Sequence, residues 1–198
     1  MKRIGITGGI GSGKSTFSRF LEEQGAVLFD ADRVATDVME NNPDVIQSLK
    51  KVLGEAAYLT DGSLNRPFIS QAIFTDESKR ESVGKIVHPV VQQRFVEIAE
   101  AAQKEGALML IREAAIPGSG NKQATLDYSI VVVAPDSIRL ERVMQRSGLT
   151  EDEVKVRMKA QPTFIEYVEH ANEVVFNEGS MEDLKKKAVA FWDRMIAS

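Results

Sequence analysis

Gly8-Gly9-Ile10-Gly11-Ser12-Gly13-Lys14-Ser15 is the stretch on which the reading of the fold turns. Its glycines let the backbone turn tightly and aim successive N–H groups at one anion. A helix that follows such a turn presents the positive end of its dipole to the same anion. Lys14 is long enough to reach the outer phosphates of a nucleotide, and the Ser15 hydroxyl can ligate Mg²⁺. The spacing is G-x-x-x-x-G-K-[ST], a phosphate-binding P-loop. The flanks agree with it. Arg3-Ile4-Gly5-Ile6-Thr7 reads as a short buried strand, and Phe17, Phe20 and Leu21 fall at i, i+3, i+4 of a helix. Lys14 to Gln24 carries no proline, and Gly25 suits the C′ position that ends the helix.

The whole chain narrows the choice. Its 198 residues suit one domain, or one core with insertions. Hydrophobic residues make up 43% and charged residues 27%, as in ordinary globular proteins. A net charge of −4 and a pI near 5.4 argue against a general nucleic-acid binder. The absence of cysteine excludes disulfides, a thiolate metal site and a cysteine nucleophile. No apolar run approaches the ~18 residues of a membrane span, and the chain starts without a signal-peptide pattern. The expectation is a cytoplasmic soluble protein, a monomer or small homo-oligomer, with no nucleic-acid or membrane partner.

After the first helix, Ala26-Val27-Leu28-Phe29 reads as a second buried strand ending in Asp30-Ala31-Asp32-Arg33. Carboxylates just past the carboxyl end of a parallel strand lie where open α/β sheets bind ligands. Asp32 can accept a proton from an attacking hydroxyl or hold Mg²⁺ through water. Alternatively, Asp30 or Asp32 caps the helix through Val34 to Met39. From Asn42 to Glu105 the chain reads as mainly helical. Asn42-Pro43 and Asn65-Arg66-Pro67 open helices, Asp61-Gly62 is a turn, and His88-Pro89 is expected to interrupt a third helix. A plain crossover needs far fewer residues. The excess reads as an inserted helical subdomain that holds a second substrate, with Arg66 and Arg94 as anion contacts or as plain surface charge.

Ala107-Leu108-Met109-Leu110-Ile111 reads as the third strand, closed by Arg112-Glu113. Glu113 sits where a P-loop protein often places an acid near Mg²⁺. Tyr128-Ser129-Ile130-Val131-Val132-Val133-Ala134 reads as a strand buried on both faces. Arg139, Arg142 and Arg146 then share one helix face, Gly148 ends that helix, and Thr150-Glu151-Asp152-Glu153 is a capping box for the next. Helix, glycine break and helix with arginines throughout fits a mobile lid, since arginines can clamp a transferring phosphoryl group. A solvated charged face is the competing reading. Glu173-Val174-Val175-Phe176-Asn177 reads as a fifth strand, and Met181 to Ile196 as an amphipathic closing helix. Strands alternating with helices give a parallel α/β sheet.

Two P-loop functions compete. GTPases usually carry D-x-x-G and N-K-x-D; no D-x-x-G occurs here, and Asn121-Lys122-Gln123-Ala124 lacks the final Asp. A small-molecule kinase accounts for both the insert and the arginine-rich segment, because a closing lid excludes water as a competing acceptor.

The motifs resemble those of the dephospho-CoA kinase family. They are Ile6 to Thr16 (ITGGIGSGKST), Asp30-Ala31-Asp32, Gly62-Ser63-Leu64-Asn65-Arg66, Ile73-Phe74 and Ile86-Val87-His88-Pro89. Arg139 to Arg146 (RLERVMQR), Arg157-Met158-Lys159-Ala160-Gln161 and Val174-Val175-Phe176-Asn177 complete the set in the family's order. The resemblance implies a five-stranded P-loop core formed by residues 1–32, 106–138 and 162–198. Residues 33–105 would be the helical acceptor-binding subdomain and 139–161 the lid. It implies ATP-dependent phosphorylation of the ribose 3′-hydroxyl of dephospho-CoA, with Mg²⁺. Asp32, Lys14 and Arg142 would then be catalytic. Gly9, Ile10, Gly11, Ser12, Gly13, Lys14, Ser15 and Thr16 would hold ATP, together with Arg142 near the phosphates and Asn177 near adenine. Ser15 would ligate Mg²⁺. On the acceptor side we expect Asp32, Arg66, His88 and Glu113. Two departures stand out. Many members have Asp-x-Pro-Leu-Leu-aromatic-Glu after the third strand, where this chain keeps an acid, Glu113, but ends the tract at Ser119. Before the fifth strand the family tends to have Ala-Asp, where this chain has Ala171-Asn172.

Overall fold

The structure is a computed structural model that describes residues 1–115, 126–161, 163–169 and 171–197. Five parallel strands form one sheet in the order β2-β3-β1-β4-β5. They are β1 (Lys2–Thr7), β2 (Val27–Asp30), β3 (Met109–Glu113), β4 (Tyr128–Val133) and β5 (Glu173–Phe176). All five expected strands are present, with ends moved by one or two residues. The largest move is in β3, which takes in Arg112 and Glu113 because Gly5 and Ile6 of β1 pair with them. β1 is therefore central, and its carboxyl end opens beside the carboxyl end of β3. That is where parallel α/β sheets bind ligands.

The pleat sorts the strand residues. Ile4, Ile6, Met109, Ile111, Ile130, Val132 and Val175 alternate onto one face and are buried. Against them pack α1 (Lys14–Glu23), through Phe17 and Leu21, and α9 (Met181–Ala197), through Leu184, Ala188, Phe191, Trp192 and Met195. Leu110 and Val131, on the opposite face, are fully buried too. Each large side chain so buried stabilises the fold by roughly 1.5–3 kcal/mol. The end of α1 fixes the approach of β2. Gly25, at φ 107°, donates to Glu22 O at 2.9 Å while Ala26 donates to Leu21 O at 3.1 Å, a Schellman pair that needs a left-handed residue at its turn. Asn172 ties β5 to β4. Its Oδ1 accepts from Ser129 N at 2.8 Å and from Ser129 Oγ at 2.9 Å.

The described chain groups into two compact units. One holds Met1–Asp30 and, from Ala99 onward, the sheet and its helices. The other is Ala31–Ile98. It contains α2 (Ala31–Asn41), α3 (Pro43–Leu53), a 3₁₀ turn at Glu55–Ala57, α4 (Arg66–Thr75) and the first part of α5 (Glu77–Lys104). Asn42 caps α3 by accepting from Asp44 N and Val45 N, and Asn65 caps α4 by accepting from Phe68 N. The Tyr58 hydroxyl donates to Met39 O at 2.8 Å, and burial, with the Glu40 charge second, pushes its pKa up.

One expectation fails here. His88-Pro89 does not interrupt a helix; α5 runs through it from Glu77 to Lys104. Val87, Val91, Phe95, Ala99 and Ala102 form its buried stripe, whereas His88 and Pro89 are exposed. The carbonyl left without a donor by the proline belongs to exposed Lys85, where water can satisfy it, so packing along the stripe carries the helix past the break. A short helix went unread: α8 (Phe164–Val168), capped by Thr163 and Glu166 in the same Thr-x-x-Glu box as Thr150 and Glu153.

Candidate active site

The P-loop leaves the carboxyl end of β1 and closes on itself before α1. Ser12 N donates to Gly9 O at 3.0 Å, and Phe17 N donates to Gly13 O at 2.9 Å, which starts the helix. Gly13 sits at φ 95°, so the chain enters α1 through a left-handed turn that points the first helical amides outward. Lys14 and Ser15 occupy that first turn. Across from them, Glu113 ends β3 and is buried. Its Oε1 accepts from Ser15 Oγ at 2.5 Å and lies 3.8 Å from Lys14 Nζ. Lysine, hydroxyl and carboxylate thus meet at one point on the carboxyl edge of the sheet.

Other elements hold the loop from outside. Asn177, just past β5, is buried, and its Nδ2 donates to Ser12 O at 2.8 Å. Its amide donor therefore faces the loop backbone, while Arg142 approaches its Oδ1 and carbonyl at 3.5 Å. Arg142 lies on α6 (Asp136–Ser147), which Gly148 ends at φ 67°. One turn earlier, Arg139 Nε donates to Ile10 O at 2.9 Å, and its guanidinium reaches Asp136 Oδ1 at 2.9 Å. Gln161 follows α7 (Glu151–Lys159), and its Oε1 accepts from Ile10 N at 2.7 Å. These contacts explain part of the loop's composition. A Cβ at Gly9 would fall 2.5 Å from the Arg139 guanidinium, and one at Gly11 2.6 Å from the Arg139 carbonyl. At Gly13 a Cβ would collide with Asn177. The glycines let protein approach the loop as closely as a phosphate would.

Some of the expected site residues come together in this unit and others lie elsewhere. Gly9 to Thr16, Glu113, Arg142 and Asn177 all belong to the sheet unit. Glu113, expected both near Mg²⁺ and on the acceptor side, has its contacts with Ser15 and Lys14. Asp32, Arg66 and His88 belong to Ala31–Ile98. Asp32 stands in the first turn of α2, two residues beyond Asp30, whose register partner is Glu113. Arg66 pairs with Glu40 at 3.1 Å on the surface, Arg94 pairs with Glu97 at 3.2 Å, and His88 lies against Gly84. Of the three arginines on one face of α6, Arg139 and Arg142 turn to the loop and Asn177, whereas Arg146 is exposed. Ser119 and Asn121–Ala124 fall outside the described residues. Sequence reasoning did not single out Gln161 or the contact of Arg139 with the loop. The only signal was the motif Arg157-Met158-Lys159-Ala160-Gln161, in which a glutamine closes an otherwise charged run.

Among the described residues, no group of three or more acidic or histidine side chains could cage a metal. A hydroxyl and a carboxylate 2.5 Å apart beside a P-loop lysine fit Mg²⁺, which takes few protein oxygens and completes its shell with water and substrate phosphates. The donors are hard oxygens, as that ion requires.

Comparison with known proteins gives the family. The family model described as dephospho-CoA kinase matches residues 2–183. A dephospho-CoA kinase of Chlorobaculum tepidum is 36% identical over 197 residues, covering 98% of this chain and 94% of the relative. One of Salinibacter ruber is 37% identical over 193 residues, covering 97% of each. A crystal structure of a protein from Thermus thermophilus superposes with a TM-score of 0.82 at 32% identity, covering 98% of this chain and 97% of the other. Together with the P-loop, the buried Glu113 and the arginines of α6, these likenesses show that the chain belongs to the dephospho-CoA kinase family.

Proposed function

We propose that the chain transfers the γ-phosphoryl group of ATP to the ribose 3′-hydroxyl of dephospho-CoA, giving CoA and ADP, the last step of CoA biosynthesis. Family membership carries the choice of acceptor. The observation that carries the phosphoryl-transfer half is the meeting of Lys14, Ser15 and Glu113 at the head of α1.

The loop amides and the amino end of α1 bind the β- and γ-phosphates. Lys14 neutralises charge on the same phosphates as it builds up in the transition state. Ser15 and Glu113 would hold Mg²⁺, which when bound supplies further neutralisation of the phosphate oxygens. Asp32 accepts the proton as the 3′-hydroxyl oxygen bonds to the γ-phosphorus and the bond to the ADP oxygen breaks. Arg142 serves the phosphates from the lid, residues 139–161, and the lid keeps water from competing. Residues 33–105 carry the acceptor, with Arg66 and His88 as its contacts. Positioning and charge neutralisation supply most of the rate, since loose phosphoryl-transfer transition states offer little covalent chemistry to a protein.

No helix among the described residues is long and apolar enough to cross a membrane. A cytoplasmic setting, where ATP and Mg²⁺ are supplied, suits the proposed reaction. The test is ADP release measured with ATP and Mg²⁺ against dephospho-CoA and against nucleoside monophosphates. Release dependent on dephospho-CoA is expected. Release only with another acceptor would keep a P-loop kinase and remove this substrate.

A further inference from the structure

The P-loop has a residue whose two backbone hydrogen-bonding groups are both taken by side chains from outside the loop. Ile10 N–H donates to Gln161 Oε1 at 2.7 Å, and Ile10 C=O accepts from Arg139 Nε at 2.9 Å. The two side chains also join each other, Arg139 Nη2 donating to Gln161 Oε1 at 3.3 Å. All three groups are partly buried. Arg139 is in the first turn of α6, and Gln161 lies two residues past the end of α7, so the pair comes from the two ends of the segment 139–161.

This matters because of what flanks Ile10. Gly9 and Gly11 give the loop apex little stiffness of its own, since glycine loses the most conformational freedom on ordering. Inside the loop, Ser12 N to Gly9 O at 3.0 Å is the turn's own bond. At the far side Asn177 holds Ser12 O. The Ile10 side needs an equivalent restraint, and Arg139 with Gln161 supplies it. Both groups bond to the backbone of Ile10, so their effect on a nucleotide passes through the loop backbone.

We propose that Arg139 and Gln161 act together as a latch that positions the P-loop for ATP, tying loop shape to the posture of the 139–161 segment. They are positioning residues, and the proposal rests on the reading of this site as an ATP-dependent kinase. If the segment swings, Gln161 leaves Ile10 and the loop apex loses a restraint; if it is seated, the cradle is preformed and binding costs less ordering.

The test is ATP affinity of the full chain by calorimetry for Gln161→Met, Arg139→Met and the double variant, alongside steady-state KM values. Gln161→Met keeps side-chain length and removes the acceptor. Each single variant is expected to weaken ATP binding roughly ten-fold, the effect of one buried backbone group losing its partner. KM for ATP should follow, while KM for dephospho-CoA stays within about two-fold. The double variant should be little worse than the weaker-binding single one, because the two side chains work as one unit. Unchanged ATP affinity in either single variant, or losses that multiply in full, would overturn the latch. So would equal rises in both KM values, the mark of a general structural role. If one variant does not fold, the other single variant decides by the same readings. Wild-type protein that binds ATP but does not phosphorylate dephospho-CoA would remove the proposed substrate, while the calorimetry would still decide the latch.

Discussion

The phosphate end of the sheet unit and the helical stretch Ala31–Ile98 treat charge in opposite ways. At the phosphate end, Glu113 and Asn177 are each 5% exposed and bonded to named loop atoms. In the helical stretch, the arginine at the start of α4 is paired on the surface, Arg66 with Glu40, its side chain 66% exposed. Arg80 with Glu77 and Arg94 with Glu97 are ordinary neighbours three residues apart on α5. Buried polar groups are costly unless satisfied, so their arrangement is set by folding itself. Exposed pairs contribute about 0–1 kcal/mol and can exchange partners for a ligand. On the proposed function, the difference means that phosphate chemistry would be built in advance, while acceptor recognition would be left to groups that water holds until the substrate arrives.

Substitutions on the two sides should therefore fail differently. The largest loss is expected at the phosphate end. Lys14→Ala should lower turnover by about 10³-fold or more, with CoA formation as the readout, because the transferring charge loses its nearest cation. Asp32→Asn comes next. It should cut kcat by about 10²-fold or more while leaving ATP affinity near the wild-type value. Normal turnover in that variant would mean that Asp32 merely starts α2. Glu113→Gln should raise the Mg²⁺ concentration for half-maximal rate by about ten-fold, since the carboxylate that orients Ser15 is gone. A titration unmoved by this change would return Glu113 to the acceptor side and blur the contrast.

Arg66→Met sharpens the other half. KM for dephospho-CoA should rise by up to about ten-fold, as for a lost charged hydrogen bond, with stability changed by less than about 1 kcal/mol. A stability loss without a KM change would make Arg66 only the partner of Glu40. The smallest effect concerns the cap of α7. Hydrogen bonds from Thr150 hold the Glu153 carboxyl below the ordinary glutamate range. A lowered folded-state pKa means the contribution is complete above the ordinary value and is lost as pH falls through the lowered one. Protection of the α7 amides, taken as exchange relative to the intrinsic rate at each pH, should fall on acidification below the ordinary glutamate range. Glu153→Gln should remove that pH dependence, because glutamine also serves in a capping box.

How much of this was legible in the sequence follows the same division. The loop, β1 and α1 are written in short-range spacing, and Gly8 to Ser15 announces both the turn and its ligand. Glu113 was readable as an acid at a strand end, but its partners depend on β3 lying next to β1, a pairing of residues more than a hundred positions apart. Arg139, Gln161 and Asn177 meet the loop for the same long-range reason, so no local pattern could assign them to Ile10 and Ser12. Pro89 shows local chemistry overruled. Proline predicts a break, yet the stripe Val87, Val91 and Phe95 is long enough to hold α5 together past it. α8 was missed although Thr163 and Glu166 repeat the box that identified α7, because five residues leave no hydrophobic period to read.

The most direct test of the central claim is product analysis by mass spectrometry after incubating the purified chain with ATP, Mg²⁺ and dephospho-CoA, with the Lys14→Ala protein in parallel. The account predicts CoA, one phosphoryl group heavier than the acceptor, from the wild-type chain and none from the variant. A folded, ATP-binding wild-type chain that leaves dephospho-CoA unchanged would contradict it.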